Sequence, residues 1–177
     1  ALKQRVKTRL KSTLAKAGKE RAAMKGILKV LPWRCIMHFP PRQLYPLGTL
    51  LLASEGGDGV ELFNDKANGE TMVMVVAKAR RGIFAALTGC IASGHISVVA
   101  AQVYELFDGR VFDLFHVQDA EGDALTQQED LQRLKGRIGK LLESGDMDLR
   151  PNIPKCKPTL LMREVSVRVR ELPHAST

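Results

Sequence analysis

The chain has 177 residues, of which 45% are apolar and 26% charged, with a formal net charge of +8. That length and balance suit one folded domain plus an extension and exclude wholesale disorder. The longest strongly apolar stretch, from Leu44 to Ala53, is broken by Pro46 and Gly48 and falls far short of the roughly 20 residues a spanning helix needs, so no transmembrane segment is expected.

Cys35, Cys90 and Cys156 are far apart, odd in number and without C-x-x-C pairing, so neither a zinc site nor a disulfide framework is expected. They read as buried or unpaired thiols of a reducing compartment. The positive charge is concentrated at one end. Residues 1–29 carry ten basic side chains (Lys3, Arg5, Lys7, Arg9, Lys11, Lys16, Lys19, Arg21, Lys25, Lys29) against Glu20, which is 10 − 1 = +9. The other 148 residues carry 17 basic and 18 acidic side chains, a balance of −1. A basic arm on a near-neutral domain is the resulting picture.

Residues 2 to 31 read as a basic helix. Leu2, Val6, Leu10 and Leu14 recur every four residues and form one apolar stripe. Gly18 and Gly26 weaken the helix and are places where it can split, and Pro32 ends it. Residues 32–69 form a connector rich in proline, with a short helix near Gln43 to Ala53, a turn over Glu55 to Gly59 and a short strand over Val60 to Phe63. Trp33 and Pro32 are expected to anchor it.

A compact α+β module is expected over 70–172. The apolar run Met72 to Ala77 suits a strand buried on both faces. Ile83, Phe84, Leu87 and Ile91 mark a helix over about 82–94. Ser97 to Leu106 and Val111 to Val117 are strands joined at the hairpin signal Asp108-Gly109. Thr126 and Glu129 have the spacing of a capping box. Leu131, Leu134, Ile138 and Leu141 follow on a helix over about 127–144, and Gly145 suits its C-terminal cap. Val165, Val167 and Val169 alternate with polar residues as in a half-buried edge strand, and 173–177 are a tail. The order is β-α-β-β-α-β, a ferredoxin-like antiparallel sheet with two helices on one face. Its central strands are apolar on both faces, so the connector or a partner must cover the second face.

The same order fits an RNA-recognition motif. That motif stacks bases on aromatics spaced two apart on one sheet face, whereas Phe112 and Phe115 are three apart and point to opposite faces. His38, His95, His116 and His174 are scattered at no ligand spacing. No metal, cofactor or catalytic residue is expected, and His116 reads as an outer-face contact.

Several blocks together resemble one known family. Glu70-Thr71-Met72-Val73-Met74-Val75-Val76, then Gly82-Ile83-Phe84, then Ser97-Val98-Val99, Asp108-Gly109 and Val117-Gln118-Asp119-Ala120-Glu121-Gly122 resemble the first ACT repeat of the bacterial PII uridylyltransferase/uridylyl-removing enzymes. Gly59-Val60-Glu61-Leu62 and the Leu31-Pro32-Trp33 neighbourhood look like the segment preceding that repeat. Val167-Arg168-Val169 with Ala175-Ser176 looks like the junction to a second one. The resemblance implies an ACT-type regulatory module without the family's nucleotidyltransferase and hydrolase motifs, neither of which this sequence contains.

In the family, an acidic turn between the first strand and helix, and a second acid on the next strand, meet an amino-acid ligand. The matching ligand positions here are Ala79, Arg80, Arg81, Gly82, Ile83, Phe84, Ser97 and Ala100. The glycine and apolar pair remain, but the two acids have become Ala79 and Ala100. An ammonium group would lack its carboxylate partners, which counts against glutamine binding in the family manner. Arg80 and Arg81 then either contact an anion or stand as solvated turn residues.

The expected function is that of a non-catalytic ACT-like accessory or docking subunit of a larger assembly, with protein partners and ACT–ACT association. The alternatives are a glutamine-sensing regulatory fragment of a bifunctional uridylyltransferase and an RNA-associated basic protein. The basic arm (Lys3, Arg5, Lys7, Arg9, Lys11, Lys16, Lys19, Arg21) is expected to meet an acidic surface: protein, RNA or anionic membrane. An acid-poor N-terminus also resembles the end of an organellar targeting region, which favours the mitochondrial matrix or an organelle membrane's periphery over a bacterial cytoplasm.

Overall fold

The computed structural model describes residues 2–65 and 68–145. The expected edge strand over 165–170 and Cys156 lie outside the described residues. The described chain forms six α-helices and four strands. The helices are α1 (Leu2–Leu14), α2 (Arg21–Ile27), α3 (Trp33–His38), α4 (Pro41–Ala53), α5 (Ile83–Ala92) and α6 (Gln128–Ser144). The strands are β1 (Gly59–Asp65), β2 (Glu70–Lys78), β3 (Ser97–Glu105) and β4 (Arg110–Gln118).

The strands make one antiparallel sheet in the order β1-β2-β4-β3. Side chains of a strand alternate between the two faces, and the middles of β2 and β4 carry apolar residues on both faces. Each therefore feeds two cores. Val73, Val75, Ala77, Phe115 and Val117 pack under α5 and α6 with Ile83, Leu87, Ile91, Leu134 and Ile138. Met72, Met74, Val76, Phe112 and Leu114 face the other way, against Met24, Leu28, Phe39, Leu44, Leu47 and Leu51. Phe112, Phe115, Met72 and Met74 are fully buried. Each such side chain contributes about 1.5–3 kcal/mol relative to exposure. The result is three layers: helices α1–α4, the sheet, then α5 and α6.

The second sheet face is thus covered from within the chain. The segment expected as a free basic arm supplies part of that cover. Residues 2–31 are not one helix: α1 stops at Leu14, Gly18 takes φ +48°, and α2 leads into a 3-10 turn at Leu28–Val30. The left-handed backbone at Gly18 turns the chain back on itself. That lets α1 lie on α3 and α4 while α2 packs on α4. Gly48 makes the second approach possible, because a Cβ there would strike Met24 Sδ. Arg9 Nη1 donates to the Phe39 carbonyl at 2.6 Å, and Phe39 meets Phe112 edge-on with ring centroids 5.8 Å apart.

Among the described residues the expected β-α-β-β-α order is present as β2-α5-β3-β4-α6, and the strand expected at Val60–Phe63 runs over Gly59–Asp65 and pairs with Glu70 to Val76 of β2. The expected capping box does not form. Helix α6 starts one residue later, with Gln127 at the N-cap and no side-chain cap bond. Glu129 and Asp130 in its first turn still complement the helix dipole. Gly145 caps the other end at φ 64° and donates its N–H to the Leu141 carbonyl at 3.2 Å.

Candidate functional site

The turn between β2 and α5 holds most of the expected ligand positions. Ala79 and Arg81 are exposed, and Gly82 is the N-cap of α5 at φ 83°. A side chain at that φ is strained, which accounts for glycine there. Ile83 is buried in the α5–α6 core. Phe84 is 42% exposed and stacks on Phe115 at 5.6 Å. Ser97 and Ala100 lie exposed on β3, two strands away from β2 across β4, and Ala100 is the register partner of His116. The turn residues are contiguous, whereas Ser97 and Ala100 occupy the far edge of the sheet.

Arg80 turns inward. Its Nη2 forms an ion pair with Asp58 Oδ2, and its Nη1 donates to the Leu142 carbonyl of α6 at 3.3 Å. Asp58 Oδ1 meanwhile accepts the backbone N–H of Lys78 at 2.8 Å. One carboxylate therefore clamps the end of β2, and one guanidinium crosses from the turn to the last turn of α6. These groups line an open cleft of about 720 Å³ with Gly57, Val60, Lys78 and Glu143. Arg80 Nε is buried without a hydrogen-bond partner among the described residues. The guanidinium joins elements instead of standing free for an anion. Asp58 has no signal in the sequence: its turn is legible, its partner is not.

A second polar cluster fixes the β3–β4 hairpin. Arg110 is 4% exposed; its Nε and Nη2 both donate to Asp108 Oδ2, at 3.0 and 2.8 Å. Its Nη1 donates to Ser54 Oγ at 2.8 Å and to the Gly57 carbonyl at 3.1 Å. Burial pushes the Asp108 carboxyl up, but the hydrogen bonds and charge of Arg110 outweigh it and hold the carboxyl below its ordinary value. His116 Nδ1 lies 2.8 Å from Glu70 Oε2. The Cys35 thiol is fully buried and pushed up to about 12, so it is a packing group.

The helical layer carries a surface that the sequence reading missed. A groove of about 500 Å³ runs between α1 and the corner joining α2 to α3. Trp33, expected as an anchor of the connector, is 49% exposed at its mouth; Pro32 is extended (ψ 149°) and starts α3 with the indole outward. Phe107, at the hairpin tip, is 73% exposed, and its N–H donates to the Val30 carbonyl at 2.8 Å. Lys3, Arg5, Lys7, Lys11, Lys16, Lys19 and Arg21 are all exposed on this layer. A large apolar residue just before Asp108-Gly109 was the available clue. No helix among the described residues is long and apolar enough to cross a membrane.

No known protein-family profile matches the chain. Part of it is similar to bifunctional uridylyltransferase/uridylyl-removing enzymes. The Gluconobacter oxydans enzyme is 33% identical over 94 residues, 53% of this chain and 10% of that enzyme. The Rhodospirillum rubrum enzyme is 28% identical over 101 residues, 57% of this chain and 11% of the enzyme. The Caulobacter vibrioides enzyme is 29% identical over 108 residues, 61% and 11% respectively. The chain spans about a tenth of the length of these curated relatives.

Proposed function

We propose that this chain is a non-catalytic, uridylyltransferase-like ACT-type protein, a ferredoxin-like module that works by docking as an accessory or structural subunit of a larger assembly. The observation that carries this reading is the occupied turn at Arg80. In the family, an acid on that turn and a second on the next strand meet the amino acid, and these are Ala79 and Ala100 here. In this chain Arg80 brings a positive charge to the turn, held by Asp58 and the Leu142 carbonyl. An incoming ammonium group would meet a guanidinium and no free carboxylate at these positions, an unfavourable exchange in a partly desolvated site. The cationic helical layer supports docking from the opposite side of the sheet.

Calorimetric titration of the chain with glutamine tests it. No saturable heat is expected. Saturable binding abolished by Gly82→Val would overturn the docking reading. It would decide for a glutamine-sensing regulatory piece, the alternative favoured by the partial identity to uridylyltransferases and by Gly82 at the start of α5.

A further inference from the structure

We infer that the groove between α1 and the α2–α3 corner receives one face of an acidic amphipathic helix from a protein partner. This rests on the docking reading above and supplies the surface and the chemistry of the partner. The first observation is the uneven cover of the α1 stripe. Leu14 is 8% exposed, Leu10 and Val6 are half-buried, and Leu2 is 45% exposed. The same row of side chains begins in the core at Leu14, lines the groove at Leu10 and Val6 and ends exposed at Leu2. At 1.5 Å per residue, the eight steps from Val6 to Leu14 run about 12 Å, the length of roughly two turns of a partner helix.

The second observation is the frame. Leu28, Leu31 and Ile36 continue the apolar wall, while Trp33 and Phe107 stand at the mouth. Phe107 is held in place by its backbone bond to Val30, and Arg34 lies over the Trp33 ring at 5.6 Å. Exposed aromatics fixed beside an apolar recess are the residue types that dominate binding interfaces.

The third observation is charge. Lys25 and Lys29 line the groove. Residues 2–54 carry twelve Lys and Arg against Glu20 alone, 12 − 1 = +11. A second copy docking the same face would bring like charges together. Residues 146–177 of this chain carry six basic and four acidic side chains, so their charge does not match the rim either. An acidic partner helix does. A bilayer prefers apolar groups that protrude from a face, whereas here most of the apolar surface is recessed between helices.

Trp33 is the sole tryptophan, so its emission reports on the groove directly. The probe is a designed helical peptide of about 14 residues, with Leu and Phe on one face and Glu elsewhere; its twin carries Lys in place of Glu. The acidic peptide is expected to give a saturable blue shift, weakened as salt rises, and the basic twin none. Lys25→Glu with Lys29→Glu changes only exposed side chains and is expected to weaken binding roughly tenfold. Phe107→Ser is expected to weaken it similarly, with the circular dichroism of both variants unchanged. Absence of a saturable shift, an equal response to both peptides, or a response only to vesicles containing phosphatidylserine would each overturn the inference. Glutamine calorimetry reads the turn on the other side of the sheet, so failure of the peptide removes this surface and leaves the docking reading to its own test.

Discussion

Asp113 stands in the middle of β4 between Val75 and Val103, 1% exposed, with neither carboxyl oxygen hydrogen-bonded among the described residues. Burial pushes its carboxyl from 3.8 up to about 6. Well below pH 3.8 the group is protonated in both folded and unfolded chains, and its ionisation has no effect on stability. As pH rises, the unfolded chain loses the proton first, so stability falls until the folded carboxyl ionises as well. Above the folded value the penalty is complete, on the order of 3 kcal/mol. Asp113→Val matches its apolar neighbours. Thermal unfolding should show a melting temperature raised by roughly 5–10 °C at pH 8, with a gain that shrinks toward pH 4. Arg80 and Arg81 make a second comparison at this scale. Arg80→Met removes an ion pair and a bond to Leu142 and is expected to cost about 1–2 kcal/mol in denaturant unfolding. Arg81→Ala, on the solvent side of the same turn, should stay within about 0.5 kcal/mol of the parent. Equal effects would show that Arg80 is a surface residue like its neighbour.

The helices and strands differ in how far they could be read beforehand. Strand β2 was legible from its continuous apolar run, Met72 to Ala77, and β3 and β4 from the hairpin signal Asp108-Gly109 between them. Helices α5 and α6 were legible from three- and four-residue spacing. β1 was harder: Gly59 through Asn64 are half-buried throughout, so the clean alternation that marks a strand is missing, and its pairing to β2 is a tertiary fact. The Thr126 box failed by one residue, since helix entry at Gln127 moves the hydroxyl away from the N–H groups it was expected to cap. The N-terminal segment was misjudged for a different reason. Its ten basic residues dominate the composition, while Leu14, Met24 and Leu28 on its inner side are core residues. The turn after the first module strand lies between β2 and α5 as its polar residues and Gly82 suggest, but the inward course of Arg80 depends on Asp58, twenty-two residues earlier. Deleting residues 1–31 should therefore do more than remove charge. It bares the apolar sides of α3 and α4 on which α1 and α2 lie, and dye binding to apolar surface should rise with loss of cooperative unfolding. Reversing the exposed lysines of α1 should leave the fold intact. Gly48→Val, which drives a side chain into Met24, should resemble the deletion in milder form, costing about 1–3 kcal/mol.

At the scale of the whole molecule, the two ends of the sheet have unequal protection. β1 occupies one edge and is tied to α6 by Lys135 and Glu61, 2.8 Å apart. Among the described residues β3 occupies the other, paired only to β4. It is nine residues long and contains no lysine, arginine or proline, the residues that usually blunt an edge. Val99 and Val103 are 51% and 53% exposed along it. A register irregularity between Val98 and Ala100 disturbs the first part of the strand, so the regular stretch from Ala101 to Glu105 is the part able to accept another strand. The +11 helical layer lies on one face of the sheet and does not block this edge. Two copies can therefore approach edge to edge without stacking their cationic layers face to face. Sedimentation of the chain should show concentration-dependent dimerisation. Val103→Lys, which places a charge on the open edge without touching either core, should shift it to monomer without changing its melting temperature by more than a few degrees. Dimers that persist in Val103→Lys but vanish on reversal of Lys25 and Lys29 would instead place self-association at the groove, and would contradict both the open edge and the acidic partner argued for that groove.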